Sequence, residues 1–121
     1  MPRRVVVTGV GLLCPVGVGT EECWSAIRAG ANGISRITAF DASQFACRIA
    51  GEITGFRPED FVERKEIKKM GRFIQFAIAA TDFAMSMARL RLTPENRPHG
   101  RGFCAAAGPE NSAAFVFSAA G

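Results

Sequence analysis

The stretch RFIQFAIAATDFAMSMAR, residues 72–89, decides how this 121-residue chain is read. Phe73, Phe76, Ala77, Ala80, Phe83, Ala84 and Met87 fall on one stripe at helical spacing, and Ile74, Ile78 and Met85 fall on a second. Gln75, Asp82 and Ser86 leave only a narrow polar seam. A helix apolar nearly all round is a central element with partners on several sides. Gly71 marks a break or bend at its start.

Upstream, RKEIKKM holds every lysine of the chain: Lys65, Lys68 and Lys69. Arg57-Pro58-Glu59-Asp60 has the form of a helix start, with proline early and acids in the first turn. A helix from there to about Met70 puts Lys65, Lys68, Lys69 and Arg72 at i, i+3, i+4 and i+7, with Glu66 pointing elsewhere. Like charges at that spacing repel by a few tenths of a kcal/mol per pair. A solvated helix face and a docking patch for an anionic protein or phosphate both fit this spacing.

Nearer the N-terminus, RRVVVT (residues 3–8) is a β-branched run of the kind buried on both faces in a parallel sheet covered by helices. A glycine-spaced loop with Pro15 follows it. A helix EECWSAIRA comes next, capped by Thr20 and directing Trp24 and Ile27 inward. CRIAGEI has the character of an edge strand, and residues 93–96 (TPEN) of a turn.

At 48% hydrophobic and 21% charged residues, the composition is that of a globular domain, and no apolar run is long enough for a membrane span. The N-terminus is too short in apolar residues and too broken by glycine for a secretory signal, so a cytoplasmic location is expected. A net charge of +4 suits an acidic partner without the dense basic tracts of a nucleic-acid binder. Cys14, Cys23, Cys47 and Cys104 form no CxxC pair, and His99 is the single histidine, so zinc is not expected and small buried thiols are.

Two catalytic or cofactor motifs fail on inspection. Gly9-Val10-Gly11 follows a strand as a dinucleotide fingerprint does, but Cys14 and Pro15 stand where its third glycine and helix start belong. The alternative is a glycine turn that lets the backbone pass close to another element. Cys104 with His99 lies in an alanine- and glycine-rich tail with no visible support for a thiol nucleophile.

In order along the chain, MPRRVVVTGVGLLCPVG, CWSAIRAGANGIS, FDASQF, GEITGF and RKEIKKMGRFIQFAIAA resemble the N-terminal part of a β-ketoacyl-acyl carrier protein synthase of the type II elongating kind. The resemblance spans about residues 3 to 97. It implies an α/β chain, an incomplete N-terminal portion of a thiolase-like α/β/α/β/α layered fold, from a family that is usually homodimeric. It also implies decarboxylative condensation of an acyl thioester with malonyl-acyl carrier protein, without a metal or nucleotide cofactor, the phosphopantetheine being carried by the partner. Lys65, Lys68 and Lys69 match the family's basic cluster facing acyl carrier protein. The family's nucleophilic cysteine and catalytic histidines lie in later segments, so no catalytic residue is assigned and the chain is expected to be inactive alone. The alternative is a non-catalytic acyl carrier protein docking module. Gly71 departs from relatives that often carry an acid there. The organisation expected is residues 1–97 as a partial synthase region and residues 98–121 as an unmatched tail, its composition suggesting a shifted reading frame.

Overall fold

The computed structural model describes residues 4–89, 101–107 and 112–120. Its first strand, β1 (Arg4–Cys14), does not end after the valines but continues through Gly9 and Gly11, where the sequence suggests a loop. Glycine inside a strand is tolerated where a second backbone comes close. Here that backbone is a helix, α3 (Arg72–Met87). A β-carbon on Gly9 would run into the carbonyl oxygen of Ala84, and one on Gly11 into that of Ala80. The two glycines are therefore the seat on which the central helix rests, and the close-pass reading of the GVG motif is the one the structure contains.

Two more strands, β5 (Arg101–Ala107) and β6 (Ser112–Ala120), form an antiparallel hairpin. β6 pairs with β1 from Arg4↔Ala120 to Leu13↔Ser112, with an irregularity between Val7 and Gly9. The two-residue β2 (Gly17–Val18) folds back on the other edge, which gives the sheet order β2-β1-β6-β5. β5 and β6, which lie within the segment set apart on sequence, belong to the sheet that carries β1. Every pairing among the described strands is antiparallel, contrary to the parallel sheet inferred from the valine run. Val6 and Val7 are accordingly about half exposed rather than buried.

The helix α1 (Thr20–Arg28) also departs from expectation. Its capping residue is Gly19, at φ 114°. The Thr20 hydroxyl instead donates to the Val10 carbonyl at 2.8 Å and ties α1 to β1. Glu22 reaches back to accept from the Val18 N–H at 3.0 Å. The inward residue is Cys23, fully buried, while Trp24 and Ile27 are 56% and 53% exposed. Trp24 follows Cys23 by one position, about 100° round the helix, so it points away from the sheet.

A small second sheet pairs β3 (Ile34–Arg36) with β4 (Ile49–Gly51), the latter lying in the expected edge-strand segment. Downstream, the single helix expected to reach Met70 is instead a 3₁₀ turn at Pro58–Asp60 and the one-turn α2 (Arg64–Ile67). Glu63, with ψ 137°, is extended between them and breaks the helix. Gly71 is the residue before α3, extended at ψ 153°, so the break expected there is present. The turn expected at residues 93–96 lies outside the described residues.

The core gathers Leu13 of β1, Ile53, and Phe76, Ala79, Ala80 and Ala84 of α3. Phe56 stands edge-on to Phe76 at 5.0 Å and is stacked on Phe61 at 5.8 Å. Phe61 meets Phe83 edge-on at 5.3 Å. Four rings thus clamp the segment after β4 along one side of α3, each pair worth about 0.5–1.5 kcal/mol beyond its burial. Phe73 and Met87, at the ends of the predicted stripe, are about half exposed.

Replacing Gly11 with Ala forces β1 and α3 apart along their shared contact. Urea unfolding is expected to show a loss of ~1–3 kcal/mol or more, and an unchanged midpoint would remove the glycine seat from the account.

Candidate functional site

The lysines sit at a corner, not on a helix face. Lys65 is inside α2, Lys68 is the residue that ends it, and Lys69 lies in the turn before Gly71. A continuous helical phase from Lys65 to Arg72 therefore does not exist. Arg72 is drawn out of the cluster altogether: its guanidinium donates to the Ile53 carbonyl at 2.8 Å and stands 5.3 Å over the Phe76 ring. The three lysines remain together because the chain turns there, with their side chains in solvent.

Two of the three are partnered. Lys65 Nζ is 2.9 Å from Glu63, with both side chains more than 70% exposed, and Lys69 Nζ is 3.0 Å from Glu66. Glu66, expected on sequence to point elsewhere, in fact pairs with Lys69 across one turn. Exposed pairs of this kind contribute about 0–1 kcal/mol each and exchange readily with other anions. Lys68 forms no ion pair among the described residues, so it carries the uncompensated charge of the corner.

The corner is held from beneath by Gln75. Placed on sequence in the polar seam of α3, Gln75 is only 8% exposed. Its amide donates to the carbonyls of Ile67 and Met70, each at 3.2 Å, satisfying the C-terminal end of α2 and the turn after it. Sequence reasoning missed this role. The available signal was one amide among apolar neighbours, four positions after a helix-breaking glycine.

Beside the corner, Arg72 lines a cleft of about 480 Å³ with Thr38, Ala39, Glu52, Ile53, Thr54, Gly55 and Phe56. Glu52 accepts from the Thr38 hydroxyl at 2.6 Å and from the backbone N–H groups of Thr38 and Ala39. The Thr38 hydroxyl first, then the two N–H groups, hold its carboxyl below the usual range. Glu52 therefore works as a clamp between the segment after β3 and β4. No sequence pattern announces it. Asp41 likewise titrates low because the Ser43 backbone N–H, and then its hydroxyl, donate to it.

His99 lies outside the described residues. Cys104 lies in β5, and only its backbone is described. No group of three or more His, Cys, Asp or Glu able to hold a metal occurs among the described residues. No helix among them is long and apolar enough to cross a membrane.

The chain is similar to known proteins. The family model described as β-ketoacyl synthase, N-terminal domain, matches residues 2–119. The chain belongs to the β-ketoacyl synthase family. Among curated relatives, the 3-oxoacyl-[acyl-carrier-protein] synthase 2 of Synechocystis is 44% identical over 94 residues and that of Vibrio cholerae 45% over 94 residues. Each of those matches covers 78% of this chain and 23% of the relative. The Staphylococcus aureus protein of the same name is 40% identical over 88 residues, 73% of this chain and 21% of the relative. A solved structure, the ishigamide ketosynthase/chain length factor, superimposes with a TM-score of 0.67 at 38% identity over 74% of this chain and 22% of that one. The chain thus spans under a quarter of the length of these β-ketoacyl synthase relatives, and its fold is an incomplete portion of their thiolase-like α/β architecture.

Two measurements check the site. Gln75→Leu leaves the Ile67 and Met70 carbonyls without their donor and is expected to cost ~1–3 kcal/mol. Hydrogen exchange is expected to rise in residues 64–71 before it rises in α3. Glu52 has a depressed carboxyl, so its stabilisation is complete above the ordinary value of about 4.5 and is lost as pH falls through its lower folded value. Glu52→Gln is therefore expected to destabilise the chain at neutral pH and to flatten the acid limb of its stability curve. An acid limb identical to that of the parent chain contradicts the clamp.

Proposed function

We propose that this chain is part of a 3-oxoacyl-acyl carrier protein synthase, that Lys65, Lys68 and Lys69 dock the acidic acyl carrier protein, and that the chain performs no condensation alone. The reaction is the joining of an acyl thioester to malonyl-acyl carrier protein with loss of carbon dioxide. It calls on no metal or nucleotide, the phosphopantetheine arriving on the partner. The observation that carries the docking reading is the lysine corner itself: three exposed lysines gathered at one turn and braced by a buried amide, two of them paired with carboxylates that a partner's acids can replace and Lys68 with no ion pair among the described residues.

What supports inactivity is the setting of the thiols. Cys23 faces the Gly17 and Leu12 carbonyls, Cys47 faces the Ile49 carbonyl, and Cys14 faces Cys23. Acyl transfer needs a thiol paired with a base, and the contacts of these three described thiols supply none. Docking without chemistry would make the chain a binding module, and the same experiment separates the two outcomes.

Binding of the 121-residue chain to holo-acyl carrier protein is expected to weaken steeply with salt. The triple reversal of Lys65, Lys68 and Lys69 to Glu is expected to abolish it. Among single reversals, Lys68→Glu is expected to cost most, because Lys68 has no carboxylate to displace. Single effects of ~1 kcal/mol, roughly fivefold in Kd, are the scale for exposed charges. Equal affinity of the triple variant at low salt would end the docking proposal. Formation of acetoacetyl-carrier from acetyl and malonyl donors by the chain alone would end the proposal of inactivity.

A further inference from the structure

Cys14 is the last residue of β1, and Cys23 lies in the first turns of α1. Between them the chain reverses at Pro15 and pairs Gly17 back onto Cys14. Gly17 allows α1 to sit tightly on that turn, since a β-carbon there would come within 2.9 Å of the Cys23 nitrogen. The result is a pair of free thiols whose sulfurs are 3.2 Å apart. Cys23 is fully buried and donates its S–H to the Gly17 carbonyl at 3.1 Å. Cys14 is partly accessible and donates to the Cys23 sulfur. Sequence composition suggested small apolar side chains at these positions. Their mutual contact gives them a second property.

We propose that Cys14 and Cys23 form a thiol pair that hydrogen peroxide converts to an intramolecular disulfide. The Cys14 sulfur attacks one peroxide oxygen, the O–O bond breaks, and hydroxide leaves with a proton as water, so that Cys14 becomes a sulfenic acid. The Cys23 sulfur then attacks the Cys14 sulfur, the S–S bond forms, the S–OH bond breaks, and the departing hydroxide takes the Cys23 proton as a second water. Two thiols are oxidised by two electrons and one peroxide is reduced to two waters. A small dithiol reverses the reaction by exchange.

The order of steps follows from access. Solvent-borne peroxide reaches Cys14 and not Cys23. Burial first, then the contact with Cys14, push the Cys23 thiol up to about 12, so it is the less readily oxidised of the two, and its place 3.2 Å from the Cys14 sulfur makes it the resolving group. Closing the pair to a bonded S–S of about 2.0 Å takes an approach of about 1.2 Å from the 3.2 Å contact. Exposed Cys47 faces only the Ile49 carbonyl and is the internal comparator. The pair is independent of the lysine corner and of the proposed condensation.

The test treats the full chain with hydrogen peroxide, blocks the remaining thiols by alkylation, and maps peptides without reduction. No lysine or arginine lies between Arg4 and Arg28, so trypsin releases residues 5–28 with both cysteines inside. That peptide is expected to be lighter by two hydrogens and to resist alkylation. A cut after Glu21 or Glu22 is expected to leave its halves joined until a reductant is added. In Cys23→Ser, Cys14 is expected to accumulate as a sulfenic acid captured by a cyclic 1,3-diketone. In concentrated urea, closure is expected to slow roughly tenfold or more as the effective concentration of one thiol at the other falls. The proposal is overturned if peptide 5–28 keeps two alkylatable thiols or gains oxygen atoms without a bridge. It is also overturned if Cys47 or Cys104 enters the disulfides as often as the pair does, or if urea leaves the rate unchanged.

Discussion

The contact between the backbone of β1 and the backbone of α3 is the constraint that the other contacts obey. Gly9 and Gly11 stand directly beneath the carbonyls of Ala84 and Ala80, one helical turn apart. No side chain fits between the two backbones, so strand and helix are fixed in both spacing and direction. Glycine costs strand stability through its freedom in the unfolded chain. Here that cost is offset by bringing Leu13 of β1 into the cluster of Phe76, Ala79, Ala80 and Ala84.

With α3 held, the rest assembles along it. Phe56 and Phe61 lie against Phe76 and Phe83, which sets the path of residues 53–62. Arg72 caps that path by holding the Ile53 carbonyl. Gln75 fixes the end of α2, and through it the place of the lysines. The lysines therefore keep their place through a contact with the head of α3. α3 follows the lysines directly in sequence and braces that exposed cationic turn through Gln75.

Much of this is readable in the residues, and the errors have a common cause. The central helix, its glycine break and the edge strand near residue 50 follow from period and punctuation. The swap of roles at the lysine corner does not. A run with i, i+3, i+4 and i+7 charges predicts one face only if the helix is continuous, and here α2 ends at Lys68 and Gly71 is extended before α3. Trp24 and Ile27 were expected inward because they are apolar, yet the contact with β1 and β2 is made through the smaller Cys23. Helical phase set that face: Cys23 lies against the strand turn at Gly17, and Trp24, one position on, lies about 100° round the helix.

The sequence by itself determined the central helix and the run of three lysines, because these depend on residue type and local period, and it pointed to the family and the α/β class through motifs that resemble, in order, those of β-ketoacyl synthases. Tertiary structure alone decided the direction of strand pairing, the burial of Gln75, the withdrawal of Arg72, and the meeting of Cys14 with Cys23. Each of these depends on which distant backbone comes within hydrogen-bond reach, and local spacing carries no record of that distance.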